Sequence, residues 1–377
     1  MDAQGRHTIL HLCEHFGGKE ATLHGVARAF QWWLPNYDAS RFRVLLCSRK
    51  GWDKAAEQMK AAGTTPFTLG YGKMDPRNLI ALARLIRRER VDLIHAHGYG
   101  ACTWGRIAGF LFRKPVIVHE RCNYHTVPLY QRPVEWLLAP LTAHAFAVSE
   151  STRQFCIHKR YLKPERVETL YNGILLTDLP EATADWKAQL REMFGTAGDA
   201  PLIGIVGRIE SHKGHLDALR ALKLLLQTHP RARLWIVGDG AYEPEVRRFV
   251  EEQGLGAAVV FLGFRRDVRQ VIQCFDVQIF PSHQEGTPNT LYEAMLAGVP
   301  PAASTADGQG EILEHEKTAL LFEPGDHATL AKHLARLLDD PALRQRLSAA
   351  VRARIADFDG RRCIQKMEQT YTRLLGG

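Results

Sequence analysis

The amino-acid sequence predicts an α/β protein built from two doubly wound parallel-sheet domains, and three observations carry that expectation. Short β-branched or apolar runs alternate with helical patterns along almost the whole chain, the signature of βα units around parallel sheets. The 377 residues exceed the size at which one hydrophobic core keeps growing, so two domains of ordinary size are expected. The alternation also pauses at a stretch rich in Pro, Gly and acidic residues, "LLTDLPEATADWKAQLREMFGTAGDAP", and then restarts.

In the first half the strands are "HTILHLC" (7–13), "FRVLLCS" (42–48), "VDLIHAH" (91–97), "PVIVHE" (115–120), "HAFAVS" (144–149) and "RVETLY" (166–171). Helical patterns such as "PRNLIALARLIRRERV" fall between most of them. The second half repeats the scheme with "PLIGIVGR" (201–208), "ARLWIVGDG" (232–240), "AVVFLGF" (258–264) and "DVQIFPS" (276–282). The boundary falls near Leu176, giving domains 1–175 and 176–360. The carboxyl end reads as three helical segments, "ATLAKHLARLLDD", "PALRQRLSAAVRARIADF" and "RRCIQKMEQTYTRLL", broken at Pro341 and Gly360. The last of these, about 361–377, is expected to pack back on the first domain. Two such sheets place a ligand at the carboxyl ends of the strands, in a central cleft where the domains face each other. The architecture hosts many reactions and names none.

A composition of 45% hydrophobic and 24% charged residues is that of a soluble globular protein. The stretch "MDAQGRHTILHLCEHFGG" has too short an apolar run for a signal peptide, and "VEWLLAPLTAHAFAV" falls short of the roughly 20 residues a spanning helix needs. The seven cysteines are scattered, odd in number and without a C-x-x-C, which fits a reducing cytoplasm better than a disulfide framework or a zinc site. A net charge of +8 admits nucleic acid, an anionic membrane surface or a phosphorylated small molecule as partner. No zinc-finger spacing and no aromatic-interleaved basic motif is present, so nucleic acid is set aside. The densest basic knot, "RLIRRERVD" (84–92), is either a solvated helix face or a contact with the inner face of the cell membrane.

The stretch "SHQEGTPNTLYEAMLAGVPP", residues 282–301, sets Glu285 and Glu293 eight positions apart. Thr287 reads as an N-cap and Pro288 as the first helical residue, so a helix is expected from Pro288 to a stop at Gly298. Glu285 then lies on the preceding loop and Glu293 inside the helix. Backbone N–H groups at the helix start, including those of Asn289 and Thr290, suit an anion or sugar hydroxyls. Ionised carboxylates accept hydrogen bonds and hydroxyls donate them, so two acids beside such donors suit a polyhydroxylated ligand. The alternative is local, with Glu293 in an ion pair within its helix and Glu285 capping a turn.

A second motif, "GIVGRIESHKGH" (204–215), ends its strand at Gly207 and Arg208 and opens a helix at Lys213 and Gly214. Gly207 lets a ligand approach the backbone, while Arg208 and Lys213 bring two cations to one strand end, as a diphosphate requires. A third, "CEHFGGKEATLHG", makes a turn at Gly17 and Gly18 into a helix starting near Glu20. His95 and His97, in "HAH", are too few ligands for a metal and have no carboxylate close in sequence; no metal site is expected.

With these motifs the chain resembles glycosyltransferase family 4, the retaining GT-B enzymes that move a sugar from a nucleotide-sugar donor. The resemblance runs over nearly the full length. It rests on Glu285 and Glu293 followed by "AMLAGVP", on Gly207, Arg208, Lys213 and Gly214, on "IVHE" with His119, and on "VSES" and "YNGI". It implies that Glu293 holds the ribose hydroxyls, Glu285 the donor-sugar hydroxyls, and Arg208 with Lys213 the diphosphate. Gly286, Thr287, Pro288, Asn289, Thr290 and Leu291 would line the donor, and Gly263, Phe264 and Arg265 would edge the nucleobase. His119 would face the reacting sugar, and Gly17 with Gly18 would close over the phosphates or the acceptor. Arg208, Lys213, Glu285 and His119 are then the catalytic candidates, with no divalent metal and no cofactor beyond the nucleotide-sugar co-substrate.

Three positions depart from the family's common form: Pro301 after "GVP", which should shorten the next strand, Leu175 after "YNGI", and Lys19 beside Glu20. None touches the acids or the cations. The resemblance implies a UDP-sugar donor, with GDP-mannose second, and a glycan or lipid-linked acceptor in cell-surface polysaccharide or lipopolysaccharide assembly. Two alternatives remain at this stage. A nucleotide-sugar epimerase of the same architecture would need a dedicated acid and base at the sugar carbon, and a non-catalytic sugar-nucleotide sensor would expect Arg208, Lys213 or Glu285 to be degraded.

Overall fold

A computed structural model describes residues 1–2, 4–17, 25–123, 127–196 and 198–376. The chain divides into two compact units, Met1–Tyr171 with Arg361–Gly377, and Asn172–Gly360. The change of unit thus falls a few residues before Leu176, and the last helix belongs with the first unit.

The first unit contains strands β1 (His7–Cys13), β2 (Phe42–Ser48), β3 (Phe67–Thr68), β4 (Leu93–His97), β5 (Val116–Glu120), β6 (His144–Ala147) and β7 (Val167–Thr169). Its helices are α1 (Gly25–Trp33), α2 (Lys54–Ala61), α3 (Arg77–Glu89), α4 (Tyr99–Phe112), α5 (Gln131–Leu138) and α6 (Glu150–Lys159). The second unit contains β8 (Leu202–Val206), β9 (Arg233–Val237), β10 (Val259–Gly263), β11 (Val277–Phe280), β12 (Pro301–Ser304) and β13 (Leu320–Phe322). Its helices are α7 (Ala184–Met193), α8 (His215–Leu225), α9 (Glu243–Glu252), α10 (Val268–Ile272), α11 (Asn289–Ala297), α12 (Asp307–Ile312), α13 (His327–Asp339) and α14 (Pro341–Arg354), after which α15 (Gly360–Leu375) closes the chain.

Both sheets are parallel throughout, in the orders β3-β2-β1-β4-β5-β6-β7 and β10-β9-β8-β11-β12-β13. Within each, the first strand of the unit lies beside the fourth, so the chain reverses its direction of winding there and a crevice opens at the strands' carboxyl ends. Strands buried on both faces read as nearly continuous apolar runs, which is why β1 and β2 begin and end where the sequence places them. Along β1 the side chains alternate, Ile9 and Cys13 packing with Phe30 and Trp33 of α1 and Met367 and Tyr371 of α15, while Leu10 and Leu12 pack with Leu82 of α3 and Ala108 of α4. In the second unit Ile203 and Ile205 meet Leu219 and Leu222 of α8 and Leu330 and Leu334 of α13. Truncating one such fully buried leucine, Leu222→Ala, costs about 2–5 kcal/mol.

Two strands lie outside the sequence reading: β3 is two residues long, and β13 lacks the β-branched run that marks the others, as does β12, the strand expected after "GVP". Pro301 stands at the first residue of the four-residue β12, where a strand tolerates a missing N–H. Helix starts follow capping chemistry: the side chains of Asp53, Ser149, Thr183, Asp326 and Asp340 each accept a backbone N–H of the helix they precede.

Candidate active site

The reversal point of the second sheet lies between β8 and β11, and the loops that follow these strands carry the two motifs singled out above. Gly214, with φ 72, links a 3-10 turn at Ser211–Lys213 to α8. A Cβ there would lie 1.8 Å from the Pro281 carbonyl oxygen, so only glycine lets the two loops approach. The His283 N–H donates to the His212 carbonyl at 2.8 Å, and the His283 ring meets Asp217 at 2.6 Å. This clamp brings Lys213 against Glu285, whose carboxylate receives the ammonium in a direct ion pair of two partly buried side chains. The Glu285 N–H donates to Asp307 Oδ2 at 2.9 Å. Arg208 leaves the same strand end, 53% exposed and 3.4 Å from Glu210.

The helix after β11 starts one residue later than expected. Pro288, in extended conformation, is the N-cap, and α11 runs from Asn289 to a left-handed stop at Gly298, φ 71. Thr287 does not cap it; its carbonyl and hydroxyl oxygens accept from Asn172 Nδ2 at 3.3 and 3.0 Å instead. Thr287, its oxygens held by Asn172, caps none of the first-turn N–H groups of α11; that of Leu291 turns back to the Pro288 carbonyl at 3.0 Å, while those of Asn289 and Thr290 stand where a helix start offers no intrahelical acceptor. Thr290 Oγ1 donates to the Val206 carbonyl at 3.2 Å, so the helix start is fastened to the end of β8. Gly286 is buried, and Leu291 points into the core, so any contact of Leu291 with a ligand runs through its backbone.

Glu293 is 2% exposed. A carboxylate buried to that degree needs a cation, and Arg269 Nε lies 3.4 Å from it. That cation belongs to α10, so the alternative of an ion pair within the helix does not hold. Arg269 is itself held by an ion pair with Asp178, whose carbonyl accepts from Nη1 at 2.6 Å.

Gly207, directly after β8, donates its N–H to the Val237 carbonyl at 3.0 Å, and a Cβ on it would meet nothing within 4 Å. Gly263 closes β10 with φ 61, and Phe264 beyond it is 48% exposed, an accessible ring on the same edge of the sheet. Arg265 is committed to Asp267, with bonds of 2.8 and 2.6 Å.

In the first unit, Gly17 follows β1, while Gly18 and the expected helix start near Glu20 lie outside the described residues. His119 is the penultimate residue of β5 and 1% exposed, its Nδ1 3.2 Å from His95 Nε2. Parallel register sets His11 opposite His95 and His97 opposite His119, so four histidines share one face of the sheet. The cluster is larger than the two histidines of "HAH": His11, His95 and His97 each bring a ring nitrogen within 4.8 Å of the others. Burial, with the Arg121 guanidinium adding to it, pushes the His11 imidazole down to about 3 and holds His119 well below its ordinary value. Burial acts likewise on His95 and His97. These rings are neutral, as metal ligands must be, but their nitrogens are largely engaged with one another and with tyrosine hydroxyls.

Sequence reasoning missed Arg269, Asp307, Asn172 and His11. Each acts on a residue far away in the chain, and no local spacing records such a pairing. Asp307 alone leaves a trace in the backbone, with φ 45 in the left-handed region.

Residues 22–177 match the model described as Glycosyltransferase Family 4, and residues 187–354 the model described as Glycosyl transferases group 1. The 2-deoxystreptamine glucosyltransferase of Streptomyces kanamyceticus is 30% identical over 282 residues, covering 70% of this chain and 72% of that one. The UDP-Gal:alpha-D-GlcNAc-diphosphoundecaprenol alpha-1,3-galactosyltransferase of Escherichia coli is 27% identical over 280 residues, 71% of this chain and 72% of its own. Among solved structures, HepE from Anabaena in complex with UDP-glucose superposes with a TM-score of 0.81 at 23% identity, over 97% of this chain and 99% of that one. At that identity the likeness speaks for the fold, the GT-B pairing of two parallel-sheet units. Both units thus find their counterparts, and the chain belongs to glycosyltransferase family 4.

Proposed function

We propose that the chain transfers a hexosyl group, with retention of anomeric configuration and without a divalent metal, from a UDP-sugar to a glycan or lipid-linked acceptor in cell-surface polysaccharide or lipopolysaccharide assembly. GDP-mannose is the second donor in line. The observation that carries this reading is the Lys213–Glu285 pair at the reversal point between β8 and β11, next to the start of α11. A nucleoside diphosphate takes the place of Glu285 against Lys213, and the released carboxylate accepts from the sugar hydroxyls.

Departure of the diphosphate builds negative charge on oxygen. Lys213 and Arg208 stabilise that charge more in the transition state than in the ground state, which lowers the barrier. Glu293, set by Arg269, receives the ribose hydroxyls, and Phe264 offers its exposed ring to the base. UDP is favoured because the Escherichia coli relative is named for a UDP-Gal donor and HepE is described with UDP-glucose. A lipid-linked acceptor follows from the same relative's diphosphoundecaprenol.

Attachment to an anionic membrane surface belongs to this reading. No described helix is long and apolar enough to cross a membrane. The first unit does expose Phe110 and Leu111 at the end of α4 and Trp136 and Leu137 on α5, which packs against α4. Arg87 of the basic knot stacks on Phe112, 5.1 Å from its ring centre, so cationic and apolar groups adjoin.

A thermal-shift panel of UDP-glucose, UDP-galactose, GDP-mannose and ADP-glucose tests the donor. A UDP-sugar at about 100 times its Kd should stabilise its unit by about 2.7 kcal/mol, and Lys213→Ala should lose most of that shift. Stabilisation by none of the four, or an undiminished shift in Lys213→Ala, contradicts the assignment.

A further inference from the structure

We propose that Tyr371 and four buried histidines form one hydrogen-bonded chain that sets the tautomer of His119, leaving its Nε2–H as a donor to a hydroxyl of the transferred sugar. The last clause rests on the proposed glycosyl transfer and on the family resemblance, which implies that His119 faces the reacting sugar. The chain itself stands on geometry within the first unit.

The contacts run in a line. His97 Nε2 lies 3.0 Å from His11 Nδ1, and His11 Nε2 lies 3.2 Å from the Tyr371 hydroxyl. That hydroxyl is 2.7 Å from His95 Nδ1, and His95 Nε2 is 3.2 Å from His119 Nδ1. A neutral imidazole carries one N–H and one bare nitrogen, so a ring that accepts on one side must donate on the other. Fixing the bond that the Tyr371 hydroxyl donates therefore fixes the line: with its one hydrogen given to His95, it must accept from His11.

Two observations choose the direction. The 2.7 Å contact between Tyr371 and His95 is the length of a bond donated by a hydroxyl, whereas ring N–H bonds to oxygen lie nearer 2.9–3.0 Å. His11 Nε2 also faces two phenol oxygens, Tyr371 at 3.2 Å and Tyr37 at 3.3 Å. A single lone pair takes only one phenol hydrogen well, while an N–H can be shared between two oxygens. Tyr37 keeps its own hydrogen for Met367 Sδ at 3.6 Å or for Tyr371 at 3.2 Å. His11 is then the Nε2–H tautomer and accepts from His97 at Nδ1. His95 accepts from Tyr371 at Nδ1 and donates from Nε2 to His119. The His119 proton is left on Nε2, a buried atom with no hydrogen-bond partner among the described residues. An unpaired buried donor at a strand's carboxyl end is where a ligand acceptor fits.

A metal ion among His11, His95 and His97 fits less well. It would displace these bonds and add two positive charges near the buried Arg121 guanidinium, in a group that contains no carboxylate.

The test is the ring nitrogen spectrum of the full chain labelled with 15N-histidine, in which two-bond couplings to ring protons report the tautomer, with signals assigned through single His→Gln variants. Wild type should show His119 and His95 as neutral Nε2–H tautomers from about pH 8 down to about pH 6. Tyr371→Phe cuts the line between His11 and His95 and should turn both signals into mixed tautomers, with kcat lowered about tenfold and the donor KM within about twofold. Tyr37→Phe loses an equally buried hydroxyl on a side branch and should leave tautomers and turnover unchanged, which separates the chain from general packing damage. An Nδ1–H His119 in wild type overturns the proposal even if Tyr371→Phe fails to fold. So does an unaltered tautomer in Tyr371→Phe, or one equivalent of zinc or copper in the purified chain. A shifted tautomer with unchanged turnover keeps the chain and removes His119 from the sugar.

Discussion

Acid should unfold the first unit well before ordinary carboxylate titration begins. His11, His95, His97 and His119 are almost wholly buried, with His11 pushed down to about 3 and the other three held well below their ordinary value, chiefly by burial. In the unfolded chain each titrates near 6.5. The folded value lies below the unfolded one, so the unfolded chain binds more protons in between. The stability these groups contribute is complete above about pH 6.5 and is lost as pH falls. One unit below 6.5, at about pH 5.5, each histidine kept neutral by the fold removes RT ln 11, somewhat over about 1 kcal/mol, and four remove about 5–6 kcal/mol. That rivals the 5–15 kcal/mol typical of a whole domain. In the second unit His215, pushed down to about 4 by burial, is one comparable group, and a loss of only about 1 kcal/mol follows there. Hydrogen exchange at β4 and at β8, measured at about pH 7.5 and about pH 5.5 and corrected for intrinsic rates, reports the two units separately. Equal losses of protection at both strands, or none at β4, would refute the reasoning.

Other substitutions probe single contacts. On the proposed reading, in which the hydroxyl contacts of Glu285 lie next to the reacting carbon, Glu285→Gln should lower kcat about 10- to 100-fold, whereas Glu293→Gln should mainly raise the donor KM; small and equal effects would reduce both acids to structural roles. Glu135 accepts from Arg106 at 2.9 Å and Arg160 at 3.2 Å, all buried, with Glu120 as the other acid on Arg160 among the described residues. Glu135→Ala leaves two buried guanidinium groups to one carboxylate and should cost about 3–5 kcal/mol by calorimetry, and a cost below about 1 kcal/mol would contradict that picture. Co-sedimentation with anionic liposomes should weaken in the Trp136→Ala, Leu137→Ala double variant and with rising salt. Binding indifferent to both removes the membrane contact.

What the sequence discloses here is mostly what neighbours in the chain decide. β1 and β2 are legible to the residue because strands buried on both faces carry unbroken apolar runs, and Gly298 and Pro341 mark helix ends by backbone geometry alone. Arg208, Lys213, Glu285 and Glu293 could be singled out because loop and helix chemistry identifies strand ends, and the structure places the first three at one reversal point. What eluded it depends on register and packing. Thr287 has the chemistry of a cap but is turned away by Asn172, 115 positions earlier. His11 joins His95 only through the β1–β4 register, and Arg269 reaches Glu293 only because α10 packs against α11.

The central claim is that fixed cations after β8, rather than a metal ion, carry the charge of the departing diphosphate. Its most direct measurement is release of UDP from a UDP-sugar by chain stripped with EDTA, run beside Lys213→Ala and Arg208→Ala. The account predicts full turnover in EDTA and a kcat lowered about 10²- to 10³-fold in either variant, about 3–4 kcal/mol, with donor KM changing less. Turnover abolished by EDTA and restored by Mg²⁺ or Mn²⁺, or a near-normal Lys213→Ala enzyme, would contradict it.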